Sequence, residues 1–186
     1  MSIDRLIEVV KPPQAIGFVQ DWATAESELG TALPQEYMRL VDIFGAGSFN
    51  DYLDLLTPPS QYGAGDIIST ARELHELASV DWYGNPYDPY SIFPNPGGLL
   101  RWAESETEDE FYWLTNDKDP NKWPIVAREQ GEEWHKFEVS TTRFILDTLS
   151  STATAPFSRT AQRMGQPFFR PSSRTGDDFD WDGRLP

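Results

Sequence analysis

Residues 93–150 constrain the fold more than any other part of the chain. They contain four short segments of strand-forming residues joined by polar turns, at 99–104, 110–115, 124–128 and 133–139. Strands that follow one another through short connections pair as an antiparallel meander. Ser140 then precedes the apolar segment TTRFILDTLS, which predicts a closing helix that packs on the sheet.

Three further helices are predicted before this meander. The clearest has Pro34 at its start and Gly45 after its end, with apolar residues at i, i+3, i+4 and i+7: Tyr37, Leu40, Val41 and Phe44. Asp21 and Asp66 are placed as N-cap residues of the other two helices. Residues 49–57 resemble one strand that ends at a Pro-Pro pair.

These elements predict an α+β domain over residues 1–150. We expect a central antiparallel sheet of about five strands, with three to four helices packed mainly on one face. Residues 151–186 lack sustained periodicity and are rich in small and polar residues, which indicates an irregular C-terminal extension. The charge changes at the same boundary, because 26 of the 30 acidic residues precede residue 151.

The composition limits the classes of partner. The chain has 30 acidic and 15 basic residues, a formal charge of −15 and no cysteine. Such a charge repels nucleic acid and anionic membranes and attracts a basic protein. The first residues lack the pattern of a signal peptide, and no segment approaches the roughly 20 apolar residues that span a bilayer. We therefore expect a cytoplasmic and monomeric protein.

The motifs that would indicate catalysis are incomplete. HELAS begins at His75, but Ser79 stands where a zinc-protease helix needs its second histidine. The DKDPN turn starts like a calcium loop, yet Lys122 and Arg128 stand where Gly and Glu are required. Neither G-x-S-x-G nor GK[ST] occurs. We expect no enzyme activity, no metal and no cofactor, with His135 a strand residue near the core.

The candidate functional site is an acidic run within the meander. Its members are Glu104, Glu106, Glu108, Asp109 and Glu110. They can be interpreted as a solvated hairpin turn, or as a docking surface whose field raises association with a basic protein by about 10–10³-fold. Tyr112 and Trp134 would add aromatic anchors on the face away from the helices, although packing beneath a loop or the tail explains them equally well.

Several segments, in order, resemble the SUKH superfamily. LPQEYMRLVDIFGAG (33–47) and LLTP (55–58) are similar to its N-terminal signature, and FPNPGGLLRWAESETEDEFYWLT (93–115) is similar to its second. WPIVARE and STTRFILDTL follow in the family's order. The resemblance covers residues 21–150 and implies an α+β fold with a central antiparallel sheet.

The resemblance also implies a function. The commonest bacterial role in the superfamily is that of an immunity protein, which neutralises a cognate polymorphic toxin by stoichiometric binding. Many of these toxins act on nucleic acids and need a basic substrate groove, which an acidic domain can block. Two alternatives stay open: a scaffold or regulatory module with a cellular protein partner, and a small-molecule site or enzyme with a pocket near residues 82–96.

Overall fold

The computed structural model describes residues 2–13, 20–59, 65–80 and 84–172. These residues form six α-helices and one seven-stranded antiparallel sheet, so the predicted α+β class is confirmed. The sheet is larger than the five strands expected. One extra strand arises because two strands, at 47–49 and 53–55, replace the single strand predicted over 49–57, and the other lies in the C-terminal segment.

The helices and strands have the following bounds. The helices are α1 (Ser2–Val9), α2 (Trp22–Leu29), α3 (Gln35–Phe44), α4 (Ile67–Ala78), α5 (Thr141–Ser150) and α6 (Phe157–Ala161). The strands are β1 (Gly47–Phe49), β2 (Leu53–Leu55), β3 (Leu99–Glu104), β4 (Glu110–Leu114), β5 (Ile125–Glu129), β6 (Glu133–Phe137) and β7 (Phe169–Pro171). Their order in the sheet is β6-β5-β4-β3-β2-β1-β7. Over the described residues, every helix is too short or too polar to cross a membrane.

The three predicted helices before the meander are confirmed, and so are the caps of α2 and α4, whereas Pro34 precedes the first residue of α3 and Gly45 ends it outside the left-handed helical region. The Asp21 side chain accepts a hydrogen bond from the Thr24 N–H, and Gly30, with φ of 72°, ends α2 in the left-handed conformation. Asp66 accepts hydrogen bonds from two backbone N–H groups in the first turn of α4. The predicted apolar face of α3 is fully buried: Tyr37, Leu40, Val41 and Phe44.

Residues 47–55 form a hairpin, so the prediction of a single strand over residues 49–57 was wrong. The Tyr52 N–H donates to the Phe49 carbonyl at 3.1 Å, which closes a β-turn. The central residues of this turn, Asn50 and Asp51, have φ of 55° and 47°. Asn and Asp enter the left-handed region more readily than other non-glycine residues, so this pair allows the chain to reverse.

Residues 157–172 pack on the same core, which differs from the irregular extension expected after residue 150. β7 pairs with β1, and Phe169 lies opposite Phe49 in the register. The Phe169 ring centroid is 5.2 Å from that of Phe44 and 4.8 Å from that of Phe49. Phe157, on the short helix α6, packs instead on Phe111 and Phe144. The apolar residues of this segment follow no regular period, because they come from a short helix, a loop and one short strand.

Buried hydrogen bonds also fix the C-terminal segment. The Asn50 side chain, which is fully buried, donates to the Ala161 carbonyl at 3.0 Å and accepts from the Phe168 N–H at 2.8 Å. The β1–β2 turn is therefore part of the surface on which this segment folds. Residues 173–186 lie outside the described residues.

The two faces of the sheet are covered differently. The main core includes residues of all six helices, with α4 contributing from its N-terminal half, and its largest fully buried side chains include Trp102, Trp113, Phe111 and Phe144. The opposite face has a smaller apolar cluster beneath α4 and the loop before β3: Leu74, Tyr87, Ile92, Leu99, Tyr112 and Val126. The strand ends on this opposite face are polar, and they adjoin the candidate site.

Candidate functional site

Two acidic hairpin turns lie at the same end of the sheet. Because β1 to β6 alternate in direction, the β1–β2, β3–β4 and β5–β6 turns all lie at that end. Residues 104–109 and 129–133, which we call the acidic edge, contain no lysine or arginine. Six carboxylates of the acidic edge are exposed or half-buried: Glu104, Glu106, Glu108, Glu129, Glu132 and Glu133.

Asp109 is buried and joins the three turns. Its carboxylate accepts hydrogen bonds from the Tyr52 hydroxyl at 2.6 Å, the Thr107 hydroxyl at 3.1 Å and the Gln130 N–H at 3.1 Å. Burial, and then the hydrogen bond to Asp109, raises the pKa of Tyr52, so its hydroxyl stays protonated and donates. Only 4% of Asp109 is exposed. The structure therefore corrects its predicted role as a partner contact.

Glu110 is neutralised within the protein. One carboxylate oxygen of Glu110 forms an ion pair with Arg101. The other, Oε2, lies 3.8 Å from Nη1 of Arg128. Arg101 also donates to the Tyr112 hydroxyl at 2.7 Å and to Glu104 at 3.2 Å. Only 12% of the Arg101 side chain and 20% of the Glu110 side chain are exposed. Glu110 therefore belongs to a mostly buried ion-pair network and adds little charge to the surface.

Tyr112 and Trp134 lie on the face away from the main core, but it is not the helix-free face that was predicted, because α4 and the loop before β3 pack on it. Tyr112 is fully buried, and its ring centroid is 5.9 Å from that of Trp134. Trp134 contacts the Tyr90 ring at 5.2 Å and donates to the Asp88 carbonyl at 3.1 Å. The Arg128 guanidinium lies 4.9 Å from the Trp134 ring centroid. Tyr112 is thus inaccessible as an anchor, and Trp134 is half-buried.

Asp54 extends the acidic surface along the polar strand ends. In the sheet register Asp54 lies opposite Glu104, and Glu104 lies opposite Glu110, so carboxylates occupy neighbouring positions on three strands. Burial, with the nearby charges of Glu106, Glu104 and Asp51, raises the pKa of Asp54. A cation from a partner would relieve this repulsion.

We expect Asp54→Asn to raise the midpoint of thermal unfolding at about pH 7 and to leave it nearly unchanged at about pH 3. A carboxyl with a raised folded-state pKa holds its proton more tightly when folded, so its ionisation at neutral pH costs stability. Below the unfolded-state pKa both states are protonated and the cost disappears. Thermal unfolding over this pH range tests the prediction, with the exposed Glu132→Gln as control. An equal gain at both pH values would contradict it.

Two cavities adjoin the acidic surface. The volume of a third cavity bears on the alternative of a small-molecule site near residues 82–96. The first, about 480 Å³, is lined by α4, Arg101 and Glu104, and the second, about 310 Å³, by Asp54, Glu104 and Arg170. Glu104 lines both, so the first continues the acidic surface beneath α4 and the second continues it towards β1 and β7. The cavity beside the described part of the loop at 82–96 holds only about 160 Å³. That volume is below the roughly 300–1,000 Å³ of typical small-molecule sites.

Glu129, Glu132 and Glu133 belong to the site, but sequence reasoning missed them. In a meander, every second turn lies at the same end of the sheet. The predicted strand order alone therefore places the EQGEE turn beside the acidic run of 104–110. These residues are separated from the run by two strands along the chain, so a search for local charge clusters passes over them.

The structure divides the predicted site residues into three groups. On the acidic edge lie Glu104, Glu106 and Glu108. Three others form hydrogen bonds or ion pairs within the protein: Asp109, Glu110 and Tyr112. Trp134 is half-buried. Comparisons with protein-family models, curated proteins and solved structures find no match to this chain.

Proposed function

We propose that this protein is a bacterial immunity protein that neutralises a cognate polymorphic toxin in the cytoplasm by stoichiometric binding, without catalysis. The acidic edge is the observation that carries the proposal, because it presents six carboxylates on two turns that contain no basic side chain, of which Glu104 is partly neutralised by Arg101 on β3. The resemblance of residues 21–150 to the SUKH superfamily supports the same role. The partner is a basic protein domain, with a nucleic-acid-targeting enzyme the best chemical fit.

The spacing of the two turns favours a joint electrostatic effect. The β3–β4 and β5–β6 turns are centred two strand spacings apart, about 10 Å. This is close to the Debye length of about 8–10 Å at 0.1–0.15 M salt, so the fields of the two turns add on approach to a partner. A basic substrate groove, which is built to bind phosphates, meets a complementary surface here.

Hydrogen bonds within the protein hold the acidic edge in place before a partner binds. Asp109 links the two acidic turns to each other and to β1–β2 through buried hydrogen bonds. A surface that is ordered before binding loses less conformational entropy on association. Blocking the groove of the toxin directly requires only that this surface occupy it, with one immunity protein for each toxin domain.

The proposal is tested by isolating the partner. The tagged protein is expressed in its source cells, and the protein that co-purifies is identified and then expressed alone and together with the immunity candidate. We expect a basic partner that stops growth when expressed alone and forms a 1:1 complex that restores growth. A partner without toxicity would contradict immunity and favour the scaffold or regulatory module.

A further inference from the structure

Three potential metal ligands converge on the β5–β6 hairpin. Glu129 and Glu133 lie opposite each other in the register, and His135 follows Glu133 by two residues, on the same face of β6. Ligand atoms of these residues lie within 4.8 Å of one another. Glu129 Oε2 is 3.7 Å from His135 Nε2. The hairpin therefore brings one imidazole and two carboxylates to a common point.

Two features of this cluster are unfavourable without a ligand. Like charges directly opposite each other on antiparallel strands repel, and the Glu129–Glu133 pair has this arrangement. His135 Nε2 is buried and has no hydrogen-bond partner among the described residues. An unpaired buried polar atom costs folding free energy. A bound cation would offset the repulsion and accept the nitrogen lone pair.

We propose that Glu129, Glu133 and His135 bind a divalent transition-metal ion, with Zn²⁺ the best match. Zn²⁺ binds histidine nitrogen at about 2.0–2.1 Å and carboxylate oxygen at about 2.0–2.2 Å, in tetrahedral geometry. Adjacent ligands in such a site are about 3.4 Å apart, as follows from those bond lengths. The 3.7 Å separation of Glu129 from His135 is therefore close to the geometry required. Water would fill the fourth position.

The packing around the cluster suits metal binding. The His135 ring meets the Phe157 ring edge to face at 5.3 Å and stacks at 6.5 Å on Phe137, which fixes its orientation. Glu133 is exposed at the start of β6, so its side chain can move the remaining distance to the ion. Imidazole favours Zn²⁺ over Ca²⁺ and Mg²⁺, which prefer oxygen ligands alone. The site differs from the sequence-based expectation of no metal, and it does not rest on the proposed function.

Isothermal titration of the EDTA-treated full chain with Zn²⁺ tests the site. We expect one Zn²⁺ per chain and an affinity at least about tenfold lower in both Glu129→Gln and Glu133→Gln, since even outer-shell substitutions weaken metal sites by 10–100-fold. Glu132→Gln is the matched control, because it removes the same charge from the same turn and should retain wild-type affinity. No Zn²⁺ binding, or an equal loss in the control, would overturn the proposal.

A second measurement identifies the histidine. The chain contains only two histidines, His75 and His135, so their ring signals in NMR spectra are readily separated. Addition of Zn²⁺ should shift the His135 ring signals and leave those of His75 in place, and Ca²⁺ should not displace the ion. A response at His75, or tighter binding of Ca²⁺ than of Zn²⁺, would show that this cluster is not the ligand set.

Discussion

Asp109→Ala should lower the free energy of unfolding by about 3–5 kcal/mol, because it leaves buried donors without an acceptor at about 1–3 kcal/mol each. The donors are the Tyr52 hydroxyl and the Gln130 N–H, with the less buried Thr107 hydroxyl beside them. Urea unfolding of both proteins measures the difference. Glu106→Ala, an exposed carboxylate of the same turn, should change stability by no more than about 0.5 kcal/mol.

A double-mutant cycle separates the hydrogen bond from other effects of Asp109. Tyr52→Phe removes one donor and should cost about 1 kcal/mol. Because this substitution also removes one of the groups that Asp109→Ala leaves unpaired, the double variant should be less destabilised than the sum of the single variants. Strict additivity, or a cost for Asp109→Ala as small as that for Glu106→Ala, would show that Asp109 does not join the turns.

The central part of the fold follows from local sequence patterns. β3 to β6 lie where alternating apolar residues predict them, and α3 buries the face that its spacing indicates. The part of the sheet formed by β1 and β7 depends on contacts between residues that are distant in sequence. β7 pairs with β1 across more than 100 residues, and buried hydrogen bonds of Asn50 fix this pairing. Periodicity within a short window carries no information about such pairing.

The candidate site was predicted in location but not in composition. The acidic run lies on the surface at one end of the sheet, yet Asp109 and Glu110 turn inward. Asp109 is held by Tyr52, 57 residues away in the chain, and Glu110 by Arg101 and Arg128 from the strands on either side. A run of acidic residues in the sequence does not show which carboxylates are solvated and which have partners on other strands.

Reversal of charge on the acidic edge should have the largest functional effect. We expect the double variant Glu106→Lys with Glu108→Lys to slow association with the basic partner by about 10–10³-fold at low salt, the range over which complementary fields accelerate binding. Both side chains are exposed, so the folded structure should persist. The salt dependence of the association rate should weaken in parallel, because the attraction that salt screens has been reduced.

A matched control separates this surface from the overall charge. Glu76→Lys with Glu138→Lys makes the same change in net charge at two exposed positions, one on α4 and one after the end of β6, and neither residue lines the cavities beside the acidic edge. Stopped-flow measurements of both double variants with the purified partner compare them directly. If the acidic edge docks the partner, the control variant should associate at nearly the wild-type rate, since its charges lie outside the acidic surface. Equal slowing in both variants would assign the effect to net charge and remove the acidic edge as the docking surface.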